Sequence, residues 1–581
     1  MNNSRTIETS NSPDLVTHKI LVEGTELSAV YQVKNIMIEK EINRIPFAQI
    51  VFIDGEASSQ DFALSNEDVL IPGSKIEINA GYHSDEETIF KGVIIKHSIK
   101  IRESVSVLIV ECRDEAVKTT IGRKNSYYYE SKDSDIIEEI LGEYSLDKDV
   151  EATDHEHAEL VQYHCSDWDF MMMRAQANGK VCIVDDGKVS IAKPDLGQEE
   201  IETIAFGATL LSFDGEIDAR DQFASIKAFG WNPSDQEVVE TEAADPGVDL
   251  NGNLSASDLA GVIDLKDLEL RHGGNVSDTE LQSWSDAKAL FAQLAKSRGR
   301  VQFQGIPGVK PGTILKLEGV GDRFNGKIYV SAIRHELADG NWTVNAQFGI
   351  NPEWFSETYD INPLPASGLL AGINGLQIGI VSQLQDDPDG EDRILVRLPI
   401  IDNEEQGIWA RIATLDAGDN RGTVFRPEID DEVIVGFIND DPNDAVVLGQ
   451  MHSSAKPSPI EASDDNHEKG YVSRSEMKMI FDDDKISYTL ETPAGKKIII
   501  DEDAGVITIE DDNSNIVTLD DSGISMESAG DINIKASGDL NMEATNVSIA
   551  AQAEFKAEGS AGAEVSTSAI AVLKGSLVQI N

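Results

Sequence analysis

The chain has 581 residues, 40% of them hydrophobic and only 6% aromatic, enough to bury a sizeable core and, as a soft prior, to fill about four domains. Asp and Glu total 104 against 48 Lys and Arg. The resulting formal charge of −56 repels phosphate backbones and anionic lipid, which excludes a nucleic-acid binder. Cys112, Cys165 and Cys182 contain no CxxC pair, so neither a disulfide framework nor a structural zinc motif is expected. Met1–Asp14 carries no apolar core of a secretory signal, and no run of about 18 apolar residues marks a membrane-spanning helix.

In chain order, the first 120 residues read as strands. Tyr31–Lys40, Ala48–Ile53, Lys75–Ala80 and Thr88–Lys100 alternate apolar and polar residues between the breaks at Pro46, Gly73 and Gly81. Strands at this spacing suit a barrel or sandwich. Two helices follow. One begins near Asp135; the other runs from Asp167, with Ser166 as its cap, acids in its first turn and Gly179 as its stop. Met171–Met173 on that helix is read as core filling. Residues 238–262 read as an acidic surface loop. A third helix opens at Ser277, which with Glu280 makes a capping box, and carries the stripe Leu281, Trp284, Ala287, Phe291 and Leu294. Strands resume at Val301, with a hairpin turn over Gly319–Gly326.

Pro363–Gly375 reads as a linker. Five strands then fall within residues 376–451, the size of a small closed barrel such as an OB-fold. After a Ser-, Pro- and Asp-rich break at Ser453–Asn466 come short alternating strands, among them Lys497–Asp501, Gly505–Glu510, Asn515–Asp520 and Gly523–Glu527, each closed by acidic or Gly turns. An eight-residue repeat starts at Gly530 and Gly538. Such strands are apolar on one face only, and past residue 544 mostly small. One chain of them cannot offset its ordering entropy, so copies around a common axis are expected: an intertwined, oligomeric β-helix.

Several segments then carry a family likeness. Trp409–Ala413, Phe425–Pro442 and Val446–His452 resemble the OB-barrel signature of VgrG spike proteins, and Ala571–Asn581 resembles the tip of their β-helix. Lys40–Pro46, Gly81–Gly92, Glu159–Tyr163, Ser166–Phe170 and Gly319–Ser331 resemble the hub half of the same family. The resemblance implies a mainly β fold with a few α-helices: a phage-hub-like region of β-barrels with inserted helices over 1–365, an OB-fold barrel over 366–455, and a triple-stranded β-helix needle over 456–581, in a homotrimer. It further implies a spike of a contractile injection system that plugs the inner tube and punctures a target envelope on sheath contraction. The implied partners are the inner tube and baseplate proteins at the hub, a PAAR-type cap at the tip, and effector cargo, with the target membrane met only on puncture. Assembly is expected in the bacterial cytoplasm, followed by export within the particle. The surface expected to hold the cap is Leu577, Val578, Gln579, Ile580 and Asn581. No toxin extension after the needle and no lysozyme-like insertion before it are expected.

No catalytic, cofactor or metal site is expected. Asp154–His157 with His164 and Cys165 has the donor types of a metal site, but reads as a solvated stretch before a helix. Asp387–Asp392 has calcium-like spacing and is read as an interstrand turn, as is Asn439–Asp444. Gly319–Gly326 is no dinucleotide fingerprint, and His335-Glu336 lacks the second His of a zincin. Arg411 and Arg426 are read either as surface charge or as partners of Glu428 or Glu432 in a neighbouring copy. The competing functions are a phage baseplate hub and a glycan-degrading β-solenoid. The latter needs paired carboxylates in an aromatic groove, and the needle offers a single Phe555 beyond Tyr488.

Overall fold

The computed structural model describes residues 15–103 and 105–580. Strands dominate, at 40% of the chain against 11% helix. The chain divides into two compact units, the first reaching residue 374 and taking in 439–442, the second holding 375–438 and the residues from 443 on.

The first unit is built on one 13-stranded sheet. Its N-terminal lobe pairs Val16–Val22, Val33–Glu41, Phe47–Ile53, Lys75–Tyr82, Asp85–Ile101 and Ser106–Arg113 in antiparallel register. The alternation read from the sequence puts Ile36, Ile38, Ile50, Phe52, Ile78 and Phe90 into its core. A second lobe holds Leu210–Ile217, Ser297–Gln304, Ile314–Glu318, Gly326–Ala338 and Asn341–Phe348 around Val301, Phe303, Leu317, Val330 and Val344. The hairpin expected at Gly319–Gly326 joins two of these strands, with Gly319 and Gly321 at positive φ. Gly326–Ala338 also pairs Val33–Glu41, matching His335 to Ile38, and so fuses the lobes.

Helices α1 (Asp133–Glu143) and α2 (Asp167–Ala177) pack on the small sheets that pair Lys124–Lys132 with Glu156–Cys165 and join Asp147–Val150, Val181–Asp185 and Lys188–Ala192; α3 (Ala256–Ile263) precedes α4 (Asp278–Leu294), which packs on Ile226–Asn232 and Glu237–Glu242. Ser166 caps α2 as expected, its Oγ accepting the Asp169 amide at 3.1 Å, and Met171 and Met172 are core residues. Two expectations are corrected. Residues 238–262 are not one loop: they contain most of the strand Glu237–Glu242 and of α3, which forms because Ser255 and Asp258 make a full capping box. At α4 only half of the expected box exists. Ser277 Oγ accepts the Glu280 amide at 3.2 Å, while the Glu280 carboxylate accepts from Arg174 at 2.8 Å.

In the second unit, Gln377–Gln383, Ile394–Arg397, Ile408–Ile412, Ala445–Gln450 and Glu432–Phe437 close into the five-stranded barrel. Val381, Ile394, Val396, Val433, Val435 and Val447 fill it. Gly379 is needed at its centre, since a Cβ there would lie 2.4 Å from a Val396 methyl. Glu468–Val472, Lys478–Asp482, Ser487–Glu491, Lys497–Asp501, Val506–Glu510, Ile516–Asp520 and Gly523–Glu527 then form an antiparallel meander within this one chain. The acidic turns have a structural cause: Asp511 Oδ1 accepts the amides of Asn513 and Asn515 at 2.8 and 2.9 Å, and Asp520 Oδ1 those of Ser522 and Gly523 at 2.8 and 3.1 Å. No strand is formed within the chain among described residues 528–580.

One core contact makes the first unit pH-sensitive. His335 is 1% exposed and its Nδ1 accepts the Trp342 indole N–H at 3.2 Å. Burial, with the Lys40 and Lys310 charges, lowers its pKa from 6.5 to about 3. The unfolded chain therefore binds the proton first as pH falls, and stability drops between those two values by up to about 1.4 kcal/mol per pH unit. His335→Gln, which keeps an acceptor for Trp342 without titrating there, should flatten that acid limb in urea titrations repeated from pH 7 to 4. An unchanged slope would refute the assignment.

Candidate functional site

The strongest functional feature is a face rather than a cavity. Register in the meander stacks Met479, Leu490, Ile498, Ile509, Val517 and Met526 into one cross-strand ladder. Phe481, Tyr488, Ile500, Ile507, Leu519 and Ile524 form a second ladder beside it on the same face. The opposite face mixes Thr489, Thr508, Thr518 and Ser525 with Ile480, Ile499, Val506 and Ile516. The ladders are open: Ile498 is 40% and Ile509 47% exposed, whereas Val381 in the barrel is at 0%. Covering half of twelve such side chains is worth on the order of 10 kcal/mol per chain, as much as a domain's whole stability.

Beyond the meander the exposed apolar residues continue, with Ile534 at 69%, Met542 at 68% and Phe555 at 63%. The expected cap-holding residues lie here. Leu577 is 81% exposed, Val578 51% and Ile580 85%, and Gln579 is exposed as well. They are in no strand and no other candidate residue is brought to them; Asn581 lies outside the described residues.

The His-x-His segment is not the solvated stretch it was expected to be. It enters the strand Glu156–Cys165, and His157 is 6% exposed. His155 and His157 pack edge to face at 4.4 Å, and the fold brings Glu280 from α4 to them, so that donor atoms of the three lie within 4.8 Å of one another. His164 and Cys165 are not part of this cluster. A guanidinium occupies its polar contacts: Arg174 binds Asp133 through Nε at 2.6 Å, Glu280 at 2.8 Å and His157 Nε2 at 3.1 Å. Arg174 already neutralises the acids that a cation would need, so the cluster works as a charge network tying α1, α2, α4 and this strand together. Glu280 could not be assigned to it from sequence, because it stands more than 120 residues away and already served the capping reading.

The other acidic candidates are likewise engaged. Asp387 receives the Arg393 guanidinium at 2.6 Å and the Glu391 amide at 2.8 Å, which holds its carboxyl well below the usual range and leaves no calcium loop. Arg411 lies 3.9 Å from Asp444, and Arg426 pairs with Asp392, so both find partners in their own chain. Glu428 pairs with Arg474 at 2.6 Å. Burial pushes the Cys112 thiol up to about 12, and Cys165 and Cys182 are raised too, so none is a nucleophile. No helix among the described residues is long and apolar enough to cross a membrane.

With this geometry in place, comparison with known proteins is informative. Residues 12–339 match the Alg8 N-terminal domain family, and residues 377–452 match the type VI secretion system/phage-baseplate injector OB domain. The chain is 25% identical over 211 residues to the type VI secretion system spike protein VgrG1b of Pseudomonas aeruginosa, covering 34% of this chain and 28% of that protein. It is 33% identical over 73 residues to VgrG1c of the same organism, covering 13% of this chain and 10% of that one. The chain thus spans less than a third of the length of the curated relatives it matches. Among solved structures, the 43 kDa tail protein of prophage MuSo2 from Shewanella oneidensis aligns at 10% identity and TM-score 0.45, covering 58% of this chain and 98% of that one. A component of the Escherichia coli type VI secretion system aligns at 13% identity and TM-score 0.36, covering 74% of this chain and all of that one.

The charge network gives a direct test. Arg174→Met strands Asp133, 2% exposed, without its counter-ion and should destabilise the hub by about 3–5 kcal/mol in denaturant titrations. Arg174→Lys should recover only part of this, because one ammonium does not replace the forked contact.

Proposed function

The chain belongs to the Alg8 N-terminal domain family and is VgrG-like in its OB domain; from this premise we propose that it is the trimeric spike of a contractile injection system. In this reading it plugs the inner tube at the hub, docks on baseplate proteins, carries a PAAR-type cap and cargo, and is driven through a target envelope when the sheath contracts. It is assembled in the bacterial cytoplasm and leaves with the particle. The role is mechanical and uses no catalytic residue.

The observation that carries the proposal is the pair of open apolar ladders on the 468–527 meander. Three copies facing inward around one axis close a prism in which each ladder meets its equivalents. The opposite face, with Thr489, Thr508, Thr518 and Ser525 among its side chains, then points outward. Past residue 527 each chain offers extended backbone with apolar side chains and no partner of its own. Winding three such segments together supplies the missing hydrogen bonds and removes the open edges. A closed rod of this kind is stiff, as a puncturing device requires. Its exposed end is the place for the cap, on Leu577, Val578, Gln579, Ile580 and Asn581. The wider VgrG and phage-baseplate likeness also fits a phage-tail hub, which would share the same trimeric assembly.

Light scattering behind size exclusion should return about 190 kDa, three times 63.2 kDa, with the trimer surviving SDS without boiling. Ile498→Asp with Ile509→Asp puts two carboxylates into the ladders of each chain and should shift the mass toward 63 kDa. A folded monomer for the unmodified chain would reject the spike reading. Deleting Leu577–Asn581 should abolish capture of a PAAR-type cap while leaving the trimer intact; unchanged capture would place the docking surface elsewhere.

A further inference from the structure

The long strand Asp85–Ile101 of the first unit carries a histidine that the spike reading does not use. His97 Nδ1 lies 2.8 Å from the Leu70 carbonyl, and its Nε2 lies 2.7 Å from Ser65 Oγ. A carbonyl can only accept, so in the neutral ring Nδ1 carries the proton and donates it. Nε2 then presents its lone pair, and the Ser65 hydroxyl donates to it. This is the arrangement that activates a serine: a nucleophile on a base, and the base oriented by a third group.

The loop between Phe47–Ile53 and Lys75–Tyr82 holds Ser65 in place. Asp54, 8% exposed, accepts the Leu64 amide at 3.3 Å and the Ser65 amide at 2.9 Å. Leu64 and Leu70 anchor the same loop in the core of the N-terminal lobe. Ser65 and His97 are themselves only partly buried. Further along the same face of the strand stand Ile99 and Ile101, 43% and 64% exposed, an apolar strip beside the base. The charge nearby is negative. Asp54 stands at the Ser65 amide, and Asp61, Glu67 and Asp68 belong to the same loop, so an anionic substrate is repelled.

We propose that Ser65 is a nucleophile, activated by His97, that takes the acyl group of an uncharged aliphatic ester. Ser65 Oγ attacks the ester carbonyl carbon as its proton passes to His97 Nε2. The bond from that carbon to the leaving oxygen breaks, and the leaving oxygen takes the proton from Nε2. Ser65 is left as an acyl ester, with the acyl chain along Ile99 and Ile101. The amides around the serine are committed elsewhere: that of Asn66 donates to the Phe62 carbonyl at 3.0 Å, that of Glu67 to the Leu64 carbonyl at 3.2 Å, and that of Ser65 to Asp54. None of them serves a developing oxyanion. The product is therefore a lasting acyl-serine, formed once per chain, rather than the transient intermediate of a fast hydrolase. The site rests on neither the trimer nor the needle.

The test incubates the purified full chain with p-nitrophenyl hexanoate and reads acylation of each serine by peptide mass spectrometry. Ser58 and Ser59, exposed in the same loop and bonded to Glu56 rather than to a histidine, are internal references. Ser65 should acylate at least about 100-fold faster than either, the lower end of what a positioned base contributes. His97→Gln, whose amide can still donate to the Leu70 carbonyl, should remove that advantage, and Ser65→Ala should lose the acyl group from this peptide. At equal concentration, p-nitrophenyl acetate should acylate Ser65 more slowly than the hexanoate does, and Ile99→Ser should level the two. If Ser65 reacts no faster than Ser58 and Ser59 on the unmodified chain, the proposal is overturned without relying on any variant's folding. It is equally overturned by an advantage that survives in a folded His97→Gln protein, or by an acetate that reacts as fast as the hexanoate.

Discussion

A single-layer sheet with two rows of large apolar side chains open on one face cannot remain uncovered in water, and the C-terminal part of this chain is organised around that constraint. The hub and the barrel each close a core of their own, with Phe52, Phe303 and Val433 fully buried. The meander does not. Its two ladders lie open over six strands, and the chain after Glu527 adds backbone outside any strand to uncovered side chains. The barrel and the first unit have the contacts to hold their form unaided, and the meander's ladders have no cover within the chain; in the proposed trimer, folding and assembly of this part would be one process.

The parts of the fold governed by local rules were legible in the sequence. Period-two alternation located four strands of the N-terminal lobe, the five barrel strands and the last four strands of the meander, and passed over Val16–Val22, Ser106–Arg113 and the first three meander strands. The cap at Ser166 and the stop at Gly179 bracketed α2. Even the acidic turns were visible, though only the structure shows that Asp511 and Asp520 accept backbone amides. Legibility failed where a residue's role is decided at long range. Asp133, His157, Arg174 and Glu280 come from four elements, and nothing in their spacing foretells that one guanidinium joins them. The 238–262 stretch failed for a different reason. Its acidic, glycine-rich composition masked the Ser255–Asp258 box, a short-range signal that was present and outweighed.

The candidate site divides in the same way. That each strand of the needle is apolar on one face follows from the sequence. That the faces align into two continuous ladders needs the register, which short in-phase turns impose from one strand to the next.

The charge of −56 bears on assembly as well as on solubility. In the proposed trimer, three copies of so acidic a chain would repel one another, yet the repulsion is screened beyond about 8–10 Å in physiological salt, and burial of the ladders is not. What decides the balance is where the acids stand. In the meander they sit at strand ends and turns, as in Asp482, Asp501, Asp511 and Asp520, while the ladder positions between them carry no charge. Several are further committed to turn amides, as at Asp501, which accepts the Ala504 amide at 2.8 Å. The acids therefore fix the turns that set the register, and the register gathers the apolar rows away from the charge. The acids thus prepare the apolar face that the proposed trimer would close.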